Sequence, residues 1–232
     1  MSAVRRDSLS SLALKEILAR IAQGVYPVGK RLPSERAMAA ELGVSRITLR
    51  RSLAGLRRLG VLSTRRGSGN YVRAFSRLEL PTEIGGGVVG FDARALRDVI
   101  EARRAIETAI AALAARRRSR KDIADLKRQL EAMRDHVEDL PRFVVADMGF
   151  HEALARSSGN RVLAGLLRSI SEQQRFSQVF TGYGAGEQAK TVAFHDRIFS
   201  AIERGEPRAA ARAMSEHLDD MQRYVKRRRR SV

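Results

Sequence analysis

The chain has 232 residues, 44% of them hydrophobic and only 5% aromatic, with no Trp and no Cys. That length accommodates one large or two modest domains with a buried core, and the missing cysteines exclude disulfides, thiolate metal sites and a cysteine nucleophile. The formal charge of +18 is unevenly spread: residues 1–75 carry 15 Lys/Arg against 4 Asp/Glu, residues 76–222 carry 23 against 22, and residues 223–232 add six more positives. Charge gathered at the two ends suits phosphate binding, where each neutralised phosphate releases condensed counterions; a merely basic, solvated surface is the alternative. No apolar run reaches the ~18 residues of a membrane span, and the N-terminus lacks a signal peptide's apolar stretch. A cytoplasmic protein is expected.

The first segment reads as three helices and a hairpin. Leu12, Ile17, Leu18 and Ile21 recur at helical spacing before Gly24. Ser34 is placed to cap a helix ending near Leu42, with Gly43 as terminator, and Ser45 to cap another running to about Leu59. Val61–Thr64 and Asn70–Arg73 are β-prone runs around Arg65-Arg66-Gly67-Ser68-Gly69, which predicts a two-stranded wing. Pro81 and Gly85-Gly86-Gly87 mark residues 76–91 as a flexible linker. Beyond it the pattern is helical only: about 92–118, 120–138, 141–157, 160–180, 187–204 and 207–227. The fold expected is mostly α: a winged helix-turn-helix over residues 1–75, then an all-α antiparallel bundle over 92–232 that ends in the basic run Lys226–Arg230.

Two short helices joined by a glycine turn present the second helix to the major groove. In that helix Leu49, Leu53 and Leu56 face inward, which leaves Arg46 and Thr48 near the exposed N-terminal end. Arg46 can donate bidentately to guanine. Arg36, Ser45 and Arg50 suit phosphates, which fix register without reading sequence. Arg65 and Arg66 sit at the wing tip, in reach of the minor groove or the backbone.

The helical part holds four histidines. Asp147 and His151 are i, i+4 on one face, and His195 and His217 lie amid apolar neighbours on later helices. Three imidazoles and a carboxylate suit Zn²⁺, Ni²⁺ or a similar divalent ion; the alternative is that each histidine is a hydrogen-bonded core residue. His136 reads as surface. Leu96, Val99, Arg103, Ile106, Ile110 and Leu113 form one stripe, interrupted by Arg103. A buried guanidinium needs a partner, either Glu107 one turn on or a bound carboxylate.

The run Leu32-Pro33-Ser34-Glu35-Arg36, then Leu42-Gly43-Val44-Ser45-Arg46-Ile47-Thr48-Leu49-Arg50, Gly60-Val61-Leu62 and Arg66-Gly67-Ser68-Gly69 closely resembles the DNA-binding domain of the GntR family. The resemblance implies operator contacts from Arg36, Ser45, Arg46, Thr48, Arg50 and Gly67. Residues 92–222 resemble the FCD effector domain of the family's FadR-type branch. That implies a metal set of Asp147, His151, His195 and His217, an effector site at Arg103 with Glu107, a small carboxylate effector and a homodimer formed through the helical domain. The function expected is a ligand-responsive repressor acting on double-stranded operator DNA. A metal-dependent hydrolase or lyase would need a general base beyond the presumed ligands and leaves the N-terminal module unexplained. A sequence-independent DNA binder with a structural metal site is the other alternative.

Overall fold

A computed structural model describes residues 9–65, 68–73, 93–182 and 186–229. Arg66, Gly67 and the expected linker over 76–91 lie outside the described residues. The chain begins with α1 (Leu9–Ala22), α2 (Glu35–Glu41), α3 (Arg46–Arg58), β1 (Leu62–Arg65) and β2 (Gly69–Val72). It continues through α4 (Ala93–Arg117), α5 (Arg120–Asp135), α6 (Leu140–Ser157), α7 (Arg161–Ser169), α8 (Ser171–Gly182), α9 (Glu187–Arg204) and α10 (Pro207–Arg229). This is a winged helix-turn-helix followed by a helical domain, mostly α as the periodicity predicts.

Local chemistry sets the helix starts. The Ser34 hydroxyl accepts from Ala37 N at 3.2 Å and that of Ser45 from Thr48 N at 3.1 Å, each satisfying an amide that a helix start leaves without partner. Between α2 and α3 the chain reverses at Gly43, whose φ of +63° favours glycine. Ile17, Leu18, Leu49, Leu53 and Leu56 pack beneath these helices. The antiparallel wing pairs Leu62 with Val72 at its buried base and Arg65 with Gly69 at its far end.

In the helical domain α4 is the organising element, packing against α6, α7, α8, α9 and α10. Arg104 reaches both Ser215 and Asp219, while Arg103 reaches Met221. A capping box of Ser119 and Asp122 starts α5, Asp139 with Pro141 starts α6, and Asn160 caps α7 through Val162 N and Leu163 N. The two halves touch where the Ser11 hydroxyl donates to Glu138 O, at 3.1 Å, and where α3 packs on α6.

Two sequence expectations need correction. The single helix over 160–180 is two helices broken at Ile170. No Gly or Pro marks that break; Ser169, Ile170 and Ser171 are weak helix formers, and the Ser169 hydroxyl bonds back to Leu166 O. The buried line of α4 is rotated from the expected stripe: Leu96, Ile100, Arg103, Glu107 and Ile110 are buried, whereas Val99, Ile106 and Leu113 are only partly so. That rotation takes Glu107 fully inside.

Candidate functional site

The first residue of α3, Arg46, is exposed, and Arg36 is exposed in the first turn of α2. Ser45 uses its hydroxyl as the α3 cap and also lies 2.9 Å from the Thr48 hydroxyl. Arg50 donates to Glu35 at 2.7 Å and so ties α3 to α2; its side chain remains 60% exposed. Ile47 is 67% exposed in the same first turn. There an apolar side chain can meet a thymine methyl. On the wing, the Arg65 guanidinium stacks over Tyr71 at 4.3 Å. Arg66 and Gly67 lie outside the described residues.

The second site is buried and assembled from four helices. One turn apart on α6, Asp147 and His151 share a face. His195 comes from α9, His217 from α10, and Arg103 with Glu107 from α4. All six are at least nine-tenths buried. His136 is the C-cap of α5, half-buried and apart from this group.

The ring nitrogens can be assigned from their neighbours. His195 Nδ1 lies 2.9 Å from Thr191 O, which can only accept, so Nδ1 carries a proton and Nε2 is the nitrogen turned to the site. His151 Nδ1 is in close contact with the Glu107 carboxylate, which orients that ring the same way. The two Nε2 atoms are 3.3 Å apart, and Asp147 Oδ1 is 2.9 Å from His195 Nε2 and 3.6 Å from His151 Nε2. Asp147 Oδ1 makes no aligned hydrogen bond despite this proximity. The ligand atoms of His151, His195 and His217 all lie within 4.8 Å of one another. Donor atoms sharing one ion at about 2.0–2.2 Å lie roughly 3–3.5 Å apart; His151, His195 and Asp147 are already near that spacing, and the wider spread of the three imidazoles would close by about an ångström around a divalent cation. Glu107 and Thr191 O supply the outer hydrogen bonds that such imidazoles need.

Charge balance around the group is tight. Arg103 Nε donates to Glu107 Oε1 at 2.7 Å, and Arg103 Nη2 lies 3.3 Å from His151 Nε2. Burial pushes the Glu107 carboxyl up, but Arg103 and His151 outweigh it and hold the group down at about 2. Burial likewise opposes the charge on Asp147, and the two imidazoles beside it still keep it well below the usual carboxylate range. His151 is driven down by burial and more strongly up by Glu107 and Asp147, to about 9. Burial, with His195 and His151 adding to it, holds His217 well below an ordinary imidazole.

Residues 9–72 match the family of bacterial regulatory proteins, gntR family, and residues 98–220 match the FCD domain. The chain belongs to the GntR family of bacterial transcriptional regulators and carries an FCD domain. It is 32% identical over 208 residues to the uncharacterized HTH-type transcriptional regulator Rv0494 of Mycobacterium tuberculosis, covering 86% of this chain and 82% of that protein. It is 30% identical over 223 residues to the Glc operon transcriptional activator of Escherichia coli K12, covering 92% and 87%. Among solved structures, Streptococcus agalactiae GntR superposes with a TM-score of 0.52 at 28% identity, over 92% of this chain and 99% of that one.

The residue that sequence reasoning undervalued in this regulator is Glu107. The sequence pattern pairs it with Arg103 alone, yet it also orients His151. Its place four residues after Arg103, on the same face, was the available signal.

Proposed function

We propose that this regulator binds a pseudo-palindromic operator as a homodimer and represses until a small carboxylate binds its helical domain. In this reading Asp147, His151, His195 and His217 hold a divalent cation, Zn²⁺ or Ni²⁺, and Arg103 receives the effector. The observation that carries it is the convergence of three possible ligand atoms, His151 Nε2, His195 Nε2 and Asp147 Oδ1, within 3.6 Å of one another in a buried site. Without a proton or cation between them these atoms repel. A bound cation would supply positive charge and open coordination positions for a carboxylate oxygen.

The chain's own groups do the rest. Arg103, tethered by Glu107, offers a second positive charge to the same acid. On the DNA side Arg46 and Ile47 face base edges, Thr48 stands beside them, and Arg36, Ser45, Arg50, Arg66 and Gly67 meet the backbone. The two sites share α6, which bears Asp147 and His151 and packs against α3. An acid that binds one arrangement of α6 better than another therefore shifts operator affinity. Exposed apolar side chains at Val145 on α6 and at Val162 and Leu166 on α7 support pairing of two copies through the helical domain. Among the described residues no helix is long and apolar enough to cross a membrane, and a regulator of this family works on cytoplasmic DNA. We assign it no catalytic reaction.

The test is metal content followed by footprinting. The purified protein should hold about one divalent ion per chain, and His195→Ala should remove most of it while leaving operator protection intact. Wild-type metal content in His195→Ala would overturn the ligand set. Footprints without a preferred site would favour the sequence-independent binder.

A further inference from the structure

Summed along the chain the helical domain is nearly neutral, but the fold sorts its charge. Three turns meet at one end of the bundle: α4–α5 at Arg118-Ser119, α6–α7 at Ser158-Gly159-Asn160 and α9–α10 at Gly205-Glu206. Arg117 Nη1 donates to Ser158 O at 2.9 Å, and Arg118 donates to Ala115 O at 2.9 Å and to Glu203 O at 3.3 Å, which ties the three together. The flanking residues 116–121, 156–161 and 203–208 carry nine Lys/Arg against two Asp/Glu. At the opposite end the α5–α6 turn, residues 135–139, carries three acids and no Lys/Arg.

That opposite end is the one seated against the winged half. There the Ser11 hydroxyl donates to Glu138 O, and a Cβ on Gly55 of α3 would lie 3.1 Å from Pro141 Cγ. Arg46 and Gly55 are about two and a half turns apart on α3 and so occupy opposite faces. From Leu140 to Ser157 α6 runs about 27 Å. A duplex held against Arg46 therefore has α3 and the length of α6 between it and the basic pole.

Five cations of this pole are left over by the fold. Arg116, Arg120, Lys121, Arg161 and Arg208 are exposed, and among the described residues none has an ion-pair or hydrogen-bond partner for its charged group. Arg116 stands in the last turn of α4, where the helix dipole favours it. The other four stand in the first turns of α5, α7 and α10, where the dipole opposes a positive charge. Local stability does not account for cations placed there. An anion at the same spot gains from both the side chains and the helix starts.

Packed helices are about 8–10 Å apart, so cations from four of them span several anionic groups rather than enclose one. A protein interface would bring an apolar centre; of the exposed large apolar side chains among the described residues only Val162 sits at this pole. A row of phosphates is the match. We infer that this pole grips the backbone of a second DNA segment without reading its sequence, so that one regulator joins two duplexes.

The experiment uses the full chain, an immobilised random duplex of about 30 bp loaded with protein at about 50 mM salt, and a second, labelled random duplex offered to it. Wild type should retain the labelled duplex. The fivefold variant Arg116→Gln, Arg120→Gln, Lys121→Gln, Arg161→Gln and Arg208→Gln should retain at least about tenfold less of it, while loading onto the first duplex as wild type does. Its thermal midpoint should be unchanged or raised, because four of the lost charges oppose their own helix dipoles. If the fivefold variant does not fold, Arg120→Gln with Arg161→Gln carries the same test, with a loss of about threefold. Wild type that captures no second duplex, or a variant that captures as much as wild type, overturns the inference. Vesicles of phosphatidylglycerol that pellet wild type but not the variant, with no capture of the second duplex, would overturn it in favour of a lipid surface.

Discussion

The start of α3 and the core around His151 do opposite things with polar side chains. On α3 the polar groups are exposed and their geometry is local: Ser45 caps within three residues and Arg50 reaches only the neighbouring α2. The six polar and charged groups of the buried site are sealed from water, and their partners come from helices up to 118 residues apart. A surface cation costs little to keep or to remove. A buried one is stable only as part of a complete set, so the core couples stability to ligand binding in a way the DNA-reading surface does not.

This contrast is sharpest at Glu107. Glu107→Ala leaves the fully buried Arg103 guanidinium and the His151 ring without their shared counter-charge, and should cost about 3–5 kcal/mol of stability, read by denaturant unfolding. A loss below about 1 kcal/mol would break the comparison. The pH dependence follows from the sign of the shift. The Glu107 carboxyl is lower when folded, at about 2, than its ordinary 4.5. Its contribution is therefore complete above pH 4.5 and is lost as pH falls toward 2. In metal-free protein at pH 5 and pH 3, wild type should lose more stability between the two than Glu107→Gln does.

On the DNA side the effect is smaller and of another kind. Arg46→Ala should forfeit about 1–3 kcal/mol of operator discrimination and leave stability within roughly 0.5 kcal/mol of wild type. Competition binding of operator against random duplex measures the first quantity and unfolding the second. A large fall in stability would show that Arg46 belongs to the packing rather than to the readout.

The smallest expected change is at the α3 cap. Ser45→Ala removes the α3 cap, and about 1 kcal/mol of stability should go with it. Operator binding should weaken in parallel, since the cap fixes the turn that carries Arg46. Ser45→Asp should restore stability, because a carboxylate also caps, but not DNA affinity, because it repels phosphate. Full recovery of binding by Ser45→Asp would mean that Ser45 meets no phosphate.

Sequence alone determined the helix-turn-helix, the wing, the helical character of the remainder and the identity of the four residues whose polar atoms converge. The elements and the Asp147–His151 pair rest on short-range rules, namely caps, glycine turns, apolar periodicity and i, i+4 spacing, whereas His195 and His217 join the set through their apolar surroundings and the family resemblance. Only the tertiary structure decided the rest. It turned α4 so that Glu107 met both Arg103 and His151, broke the helix at Ile170, and packed α8 against all four site helices. Those outcomes depend on how helices far apart in the chain fill one volume, and a periodicity of 3.6 residues gives a face but not its partner.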